Sequence, residues 1–311
     1  MSCFQTPRRI FLAFALTASI HVAAAEIPIL DAHSQLDRDV ALAQVIDTMD
    51  KAGVSRVILS SLRANTKTRD IIEGRQQHPG LIVASIGMKG EVKSGNPEAL
   101  RRLRAQGEVP AFGAVSELML FHMQKGVKAP EIIRALDDHE AKAALEVVQK
   151  RGWPLVIHIE FAYARSVGAY ERNMTELKSL LDAVPTTNIA LTHMGQLSAV
   201  DVLALAKAHK NVHFLTSHAN TAYLNSRGNR NAHWVNLFAG DKLADDWRNA
   251  ILAHPDRFIM AFDNVYNEDW TGEHYPAQVA LWKSALLTLP DDVAHQIAHR
   301  NAERLWGLKP L

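Results

Sequence analysis

The chain has 311 residues, of which 48% are hydrophobic and 22% are charged, and its formal net charge is +1. This composition is typical of a soluble globular protein, and the small net charge gives no general electrostatic reason for binding nucleic acid or an acidic membrane. The length is large for one ordinary domain but normal for a single α/β barrel.

The first 25 residues have the order of a secretory signal peptide. Arg8 and Arg9 precede an apolar run at 10–20, and the small residues 23–25 follow it. The run is short for a bilayer span, so we expect cleavage before Glu26 and a periplasmic or secreted protein with no stable membrane anchor. An uncleaved anchor helix is the alternative, and the paired arginines also resemble a twin-arginine signal.

The single cysteine of the chain, Cys3, lies within this segment. The predicted mature domain, residues 26–311, therefore contains no cysteine. Its sequence excludes a disulfide, a thiolate metal ligand and a cysteine nucleophile.

Eight short apolar runs, rich in Ile, Val, Leu and Phe, follow one another along the mature chain. Near-continuous apolarity is typical of strands that are buried on both faces, as in a parallel sheet. The runs predict strands at 27–33, 55–61, 81–87, 111–117, 154–160, 188–194, 211–217 and 257–263.

Amphipathic stretches with helix-starting and helix-ending residues separate these runs. Asp137 or Asp138, and Ser198, are predicted N-caps, whereas Gly53 and Gly152 follow the ends of two predicted helices. Strict alternation of strand and helix predicts right-handed crossovers and an α/β fold. Eight repeats favour a closed (β/α)8 TIM barrel, with an open doubly wound sheet as the alternative.

Strongly polar residues stand where the predicted strands end, and in a barrel the carboxyl ends of the strands build the active site. A strand-end histidine taken alone is more often structural, so the joint placement carries the prediction. Imidazole and carboxylate are natural ligands of zinc and similar ions, and the set predicts a divalent-metal site at one rim. Its members are Asp31, His33, Glu117, His158, Glu160, His193, His218 and Asp263.

Several segments resemble the amidohydrolase superfamily, in particular the amidohydrolase-2, or amidohydrolase-related, family of metal-dependent hydrolases and decarboxylases. The segments are LDAHSQ, VIHIE, LTHMGQ, HPDRFIMAFDN and HRNAERLWGL, which together span nearly all of the mature chain. The resemblance implies a (β/α)8 barrel holding one divalent ion, with zinc expected and manganese or iron as alternatives. It implies His33, His158 and Asp263 as metal ligands and adds His193 from the sixth strand.

Gln35 departs from the family pattern, because it stands where the second histidine of a first-strand His-x-His pair is expected. An amide oxygen is a weaker ligand than imidazole for a borderline ion such as zinc. His33, His158 and Asp263 still provide two histidines and a carboxylate, a set sufficient for a catalytic zinc. We therefore predict an altered metal site, in which Gln35 completes the shell or bonds the bound water, with a metal-free relic as the alternative.

Two further carboxylates are candidates for the metal site or its surroundings. Glu117 could bind the ion, orient a histidine, or form an ion pair with a neighbouring loop cation. The fourth predicted strand has no lysine, which argues against a binuclear centre bridged by a modified lysine. Glu160 follows His158 by two residues and therefore shares its face of the strand.

Loop residues give the only indication of the substrate class. Arg63, His122, His218 and Arg227 are the predicted substrate-binding residues, and cations beside a metal favour a small anionic molecule. The alternative is that these are solvated loop charges. Trp234 and Trp270 are further candidates, as an apolar or aromatic wall of the pocket.

The predicted function is that of an exported metal-dependent hydrolase of an ester, lactone or amide. The family resemblance assigns Asp263 to proton transfer and His193 to stabilisation of the oxyanion. A decarboxylase of the same family and a metal-free, non-catalytic periplasmic binding protein are the alternatives. The expected partner is a small molecule, nucleic acid is not expected, and the sequence leaves a homo-oligomer open.

Overall fold

Strands and helices alternate throughout the computed structural model, which describes residues 26–62, 66–89, 96–125, 130–220 and 235–311. The strands are β1 (Leu30–Leu36), β2 (Arg56–Ser61), β3 (Ile82–Ile86), β4 (Phe112–Val115), β5 (Leu118–His122), β6 (Ile132–Ile133), β7 (Leu155–Ile159), β8 (Ile189–Leu191), β9 (Val212–Leu215), β10 (Phe238–Ala239), β11 (Lys242–Leu243) and β12 (Phe258–Ile259).

The helices begin and end largely where the capping residues predict. Asp138 accepts a hydrogen bond from the Ala141 amide and Ser198 accepts one from the Asp201 amide, while Gly53 and Gly152 end helices in the left-handed conformation. Among the described residues, none of the helices is both long and apolar enough to span a bilayer. The α-helices are α1 (Leu42–Ala52), α2 (Thr68–Gln77), α3 (Pro97–Gly107), α4 (His139–Arg151), α5 (Phe161–Ser166), α6 (Tyr170–Ala183), α7 (Ala199–Ala208), α8 (Asp245–Ala253), α9 (Asn267–Trp270), α10 (His274–Leu286), α11 (Asp291–His295) and α12 (Asn301–Trp306).

The main strands form two sheets that follow one another around the molecule. Their orders are β1-β2-β3-β4 and β12-β9-β8-β7-β5-β6, and the pairs are parallel except for β5 with β6. The prediction of one strand at 111–117 needs correction here. The strand ends at Val115, and after Ser116 and Glu117 a second strand begins, so that β4 pairs with β3 and β5 pairs with β7.

Backbone hydrogen bonds join the first strand to the segment that follows the last one. The Ala32 amide donates to the Met260 carbonyl at 3.0 Å, and the Asp263 amide donates to the His33 carbonyl at 2.7 Å. These contacts, with the continuous chain from β4 to β5, bring the two sheets together into the (β/α)8 TIM barrel predicted from the sequence. The predicted strands correspond to β1, β2, β3, β4 with β5, β7, β8, β9 and β12.

Two apolar clusters account for the burial of both faces of the strands. The larger one packs the outer faces of the strands against the helices. The smaller one fills the barrel interior with side chains from β1, β2, β3, β4, β7, β8, β9 and β12, including Leu30, Ile58, Val156 and Ile259, together with Trp306 of α12. The interior is therefore a packed core, which leaves the carboxyl ends of the strands for polar groups.

Asp31 lies inside the barrel wall and holds the start of the site in place. Its carboxylate accepts hydrogen bonds from Ser34 Oγ, Tyr275 Oη and the backbone amides of His33 and Phe262. Burial raises the pKa of Asp31 to about 6, although these four donors act in the opposite direction. Asp31 thus ties β1 to the segment after β12 and to α10.

Candidate active site

The polar strand-end residues predicted from the sequence converge on one rim of the barrel. His33 and Gln35 lie in β1, Glu117 lies between β4 and β5, and His158 lies in β7. All four side chains are at most 3% exposed. His193, His218 and Asp263 complete the rim from the turns that follow β8, β9 and β12.

The backbone at these last three residues is unusual. His193, His218 and Asp263 have φ values of 53°, 54° and 55°, in the left-handed region that non-glycine residues seldom adopt. Met194, Gly195 and Gln196 also have positive φ, so the chain turns sharply as soon as β8 ends. Such conformations concentrate at functional sites, where the surrounding structure holds them in place.

Gln35 bridges two carboxylates at the centre of the rim. Its Nε2 donates to Glu117 Oε2 at 3.1 Å and to Asp263 Oδ1 at 3.0 Å. Its Oε1 is buried and has no hydrogen-bond partner among the described residues. The Trp270 indole donates to the Gln35 carbonyl at 3.2 Å, so Trp270, predicted as a pocket wall, is instead a buried support behind β1.

His33 faces the same two carboxylates. Its Nε2 lies 3.3 Å from Asp263 Oδ1 and 3.6 Å from Glu117 Oε2, and forms no hydrogen bond within the described part of the chain. Burial disfavours the charged imidazole, but Asp263 and Glu117 outweigh it and raise the pKa of His33 to about 10. Two negative charges thus stand beside this nitrogen and favour positive charge there, whether it is carried by a proton or by a metal ion that replaces the proton.

Glu117 is fully buried, and three donor groups hold its carboxylate. His158 Nδ1 lies 2.6 Å from Glu117 Oε1, while Lys89 Nζ and the Gln35 amide share Oε2, each at 3.1 Å. Burial opposes ionisation of Glu117, but Lys89 and His158 hold its pKa well below the usual range. Of the alternatives predicted for Glu117, the structure shows both the ion pair with a loop cation and the contact that orients a histidine.

His158 is placed between two carboxylates, because its Nε2 lies 3.0 Å from Glu160 Oε1. Burial lowers the pKa of His158, yet Glu117 and Glu160 together raise it above its ordinary value. Glu160 is in turn ion-paired with Lys125. Both ring nitrogens of His158 are thus engaged by acidic side chains.

His122 belongs to the same corner of the site. Its Nδ1 donates to the Pro130 carbonyl at 2.9 Å, which leaves Nε2 to accept from Lys125 Nζ at 3.0 Å. Burial, His158 and Lys125 lower the pKa of His122 to about 3, so the ring is neutral at neutral pH. His122 also packs edge-on against His158 at a centroid distance of 5.1 Å.

Asp263 lies between the two halves of the site. Its Oδ2 is 3.5 Å from His193 Nε2 and 3.7 Å from His218 Nε2, and the two imidazoles stack at 4.3 Å. Ser217 Oγ lies 2.8 Å from His193 Nδ1 and fixes that ring. Burial, His218 and His158 hold the pKa of His193 well below its ordinary value, against the opposing effect of Asp263.

The side chains present fit a divalent cation. Ligand atoms lie within 4.8 Å of one another in several sets, of which His33 with Glu117 and Asp263, and His193 with His218 and Asp263, share one carboxylate. His33 Nε2 and Gln35 Oε1, two buried atoms without hydrogen bonds in the described residues, lie in this region. Nitrogen and carboxylate donors of this kind suit zinc, manganese or iron.

Two of the four predicted substrate-binding residues lie in the part of the chain that the structure describes. His122 and His218 both lie at the rim. His122 is buried, whereas His218 is partly exposed. Arg63 and Arg227, and Trp234 predicted as a pocket wall, lie outside the described residues.

Lys89 is a site residue that the sequence did not predict. It follows β3 in the segment IGMK, where the lysine replaces the apolar pattern at the end of the strand. That position was a usable signal, because polar residues at the ends of the other strands marked the rest of the site. Ser217 was missed as well, although it directly precedes His218.

Comparisons with known proteins agree with this architecture. Residues 17–308 match the sequence model of the amidohydrolase family, Amidohydro_2. A comparison with curated protein sequences finds no match.

Solved structures with the same fold share little sequence with this chain. They include an uncharacterised TIM-barrel protein from Bordetella bronchiseptica (13% identity, TM-score 0.56, 90% of this chain and 98% of that one). They also include 4-oxalomesaconate hydratase from Rhodopseudomonas palustris (14%, 0.54, 90% and 95%) and dihydroorotase from Saccharomyces cerevisiae in complex with 5-fluoroorotic acid (14%, 0.57, 91% and 84%). At these identities the likeness establishes the fold, whereas the family match spans most of the chain. The protein is therefore an enzyme that belongs to the amidohydrolase family.

Proposed function

We propose that the protein is an exported metal-dependent hydrolase that acts on a small anionic ester, lactone or amide. The observation that carries the proposal is the convergence of His33, His193 and His218 on the buried carboxylate of Asp263. A divalent ion bound there would supply Lewis acidity toward a carbonyl group and toward water. His33, His158 and Asp263 are the proposed ligands, with Gln35, Glu117 and Glu160 around them. His33 and Asp263 share one cluster of ligand atoms with Glu117, whereas His158 belongs to neighbouring clusters and is linked to that one through Glu117.

Asp263 is the proposed proton carrier. Burial would raise its pKa, but His33 and Lys89 hold the pKa far below the ordinary range of a carboxyl group. The carboxylate is therefore ionised at neutral pH and can accept a proton from the attacking water and return it to the leaving group.

His193 is the proposed donor to the oxyanion. Its ring is neutral, because its pKa is lowered, so only one nitrogen carries a proton. Ser217 Oγ accepts from the His193 backbone amide at 3.3 Å and can donate to Nδ1, an arrangement that leaves the proton on Nε2. Nε2 lies 3.5 Å from Asp263 Oδ2, and a hydrogen bond from Nε2 to negative charge developing beside Asp263 would accelerate acyl transfer.

The anionic substrate class and export rest on the sequence. Arg63 and Arg227, on the loops that follow the second and seventh predicted strands, are the proposed partners of a substrate carboxylate. The signal-like order of residues 1–25 supports cleavage before Glu26 and a periplasmic or secreted location. N-terminal sequencing of exported protein should begin at or within a few residues of Glu26, whereas an intact Met1 in mature material would contradict export.

A substrate panel tests the activity. Purified mature protein should be assayed with lactones, aryl esters, N-acyl amides and hydroxybenzoates, before and after treatment with a chelator and after addition of zinc or manganese. Hydrolysis that the chelator abolishes and the metal restores would support the proposal. Release of carbon dioxide from hydroxybenzoates, without hydrolysis of the other compounds, would contradict the hydrolase proposal and support the alternative, a decarboxylase.

A further inference from the structure

Lys89 introduces a fixed positive charge into the proposed metal site. Its Nζ lies 3.1 Å from Glu117 Oε2, the same oxygen that accepts the Gln35 amide. Its side chain is 23% exposed, whereas the Glu117 side chain is fully buried. The lysine thus reaches from the rim onto a carboxylate that has no contact with solvent.

The charges of the site are distributed unevenly around this contact. Glu117 is compensated by Lys89 and by His158, and Glu160 is compensated by Lys125 and by His158. Asp263 has neither a lysine nor an arginine among its ion-pair partners in the described residues, since its neighbours are His33, His193 and His218. Of the three carboxylates, Asp263 is therefore the one that is contacted by imidazoles and by no ammonium group of the described residues.

The charge on Lys89 is maintained by its surroundings. Burial disfavours the ammonium form, but Glu117 and Asp263 outweigh this effect and raise the pKa of Lys89 above its ordinary value. Lys89 Nζ shares Glu117 Oε2 with the Gln35 amide, which also donates to Asp263 Oδ1, so its positive charge stands next to the group that joins the two carboxylates. A divalent ion at Asp263 would feel repulsion from this ammonium group through a water-poor interior.

We propose that Lys89 is a built-in cation of the metal centre. Its ammonium group occupies the Glu117 side of the cluster, and this leaves a single divalent-ion site of weakened affinity on the Asp263 side. This inference rests on the proposed metal dependence and extends it to the stoichiometry and affinity of the ion. Gln35 acts in the same direction, because it offers an amide donor to Glu117 and Asp263 at a position where an imidazole would offer a further ligand. Lys89 is thus a tuning residue for the metal rather than a ligand.

Metal titrations of the mature chain test this role without an activity assay. The dissociation constant for zinc should be measured by competition with a chromophoric chelator, and the metal content by elemental analysis. The variants are Lys89→Met and Lys89→Gln, which remove the charge, and Lys89→Arg, which keeps it. Lys142→Met is the matched control, because Lys142 lies on the exposed surface of α4.

The wild type should bind one equivalent of zinc, and both charge-removing variants should bind it at least about tenfold more tightly, as expected for loss of a nearby like charge. Lys89→Arg and Lys142→Met should retain the wild-type affinity. The glutamine variant keeps a hydrogen-bond donor for Glu117, so it tests the charge even if Lys89→Met does not fold.

Unchanged or weaker zinc affinity in a folded Lys89→Gln protein would overturn the inference, and so would a second equivalent of tightly bound zinc in the wild type. Failure of the proposed hydrolysis would be seen separately. In that case the titrations would show the predicted changes in affinity while the substrate panel gave no turnover.

Discussion

Asp263 is the residue at which the chemistry of the site is concentrated. Three imidazoles from different strands approach its two oxygens, and its left-handed backbone turns the carboxylate into the rim directly after β12. The sequence placed Asp263 correctly at the end of an apolar run. It could not show that the lowered pKa depends on His33 and Lys89, which come from distant parts of the chain.

Replacing Asp263 by asparagine tests its role as proton carrier. Asparagine keeps the shape and one acceptor oxygen but cannot accept the proton, so turnover should fall by about 10²-fold or more while the fold is retained. The measurement is kcat on whichever panel compound the wild type hydrolyses, with zinc content determined in parallel.

The matched control is Asp47→Asn, on the exposed face of α1, which should leave turnover unchanged. Near-full turnover by Asp263→Asn would show that another group carries the proton. His193 and Glu160 would then be the next candidates.

Gln35 is the second residue whose identity decides what the site can bind. Its amide nitrogen faces two carboxylates and its oxygen lacks a hydrogen bond within the described residues, so Gln35 can offer a cation that amide oxygen, which is a weaker ligand than an imidazole. Gln35→His should provide an imidazole in the same place and tighten zinc binding by about tenfold or more, on the scale at which residues around a metal alter its affinity.

Chelator competition checks this prediction, and Gln77→His, at an exposed position of α2, is the control. Equal or weaker zinc affinity in Gln35→His would mean that Gln35 already serves the ion, with its amide oxygen turned toward it.

At the scale of helices and strands, the sequence predicts features that depend on contacts between residues a few positions apart, such as helix caps. Of the two candidate N-caps before α4, the structure selects Asp138, whose carboxylate accepts the Ala141 amide at 2.8 Å. The break between β4 and β5 was not predictable in the same way, because it depends on which neighbouring strand each half meets. The sequence on both sides of Glu117 is apolar, and this pattern does not indicate that β4 pairs with β3 whereas β5 pairs with β7.

The cap at Asp138 gives a stability prediction. Asp138→Ala removes the acceptor for the first turn of α4 and should lower the free energy of unfolding by about 1 kcal/mol. Asp137→Ala changes the adjacent, 85% exposed carboxylate and should have a much smaller effect. Urea denaturation of both variants checks the difference, and equal stabilities would show that the cap contributes nothing measurable to α4.

At the scale of the whole molecule, the barrel explains both the success and the limits of prediction from sequence. Regular strand ends place chemistry at one rim, so His33, His158, His193 and Asp263 could be grouped before any distance was known. The position of Lys89 after β3 is the same kind of signal, but one lysine after a strand also resembles many solvated lysines, so the sequence does not separate the two. Its role depends on Glu117, which lies far from it in the sequence but contacts it in the folded chain.

A buried histidine far from this rim predicts how the whole barrel responds to acid. His213 lies in β9 with no solvent exposure, its Nε2 3.1 Å from Asn188 Oδ1. Burial, with Arg257 and Arg304, lowers the pKa of His213 to about 3. An unfolded chain takes up a proton at this residue near its ordinary value of 6.5, so the folded state binds fewer protons between these two pH values. Stability contributed by His213 is present above pH 6.5 and is lost as the pH falls toward 3.

The prediction is a difference in acid sensitivity. Between pH 7.5 and 4.5, His213→Gln should lose about 2 kcal/mol less unfolding free energy than the wild type, because glutamine has no proton to take up on unfolding. Urea denaturation across this range measures the difference, with His78→Gln at an exposed position as the control. His122, whose pKa is also lowered to about 3, remains in both proteins and adds the same acid sensitivity to each. Parallel pH profiles for wild type and His213→Gln would show that His213 is protonated in the folded barrel, or that unfolding leaves its surroundings intact.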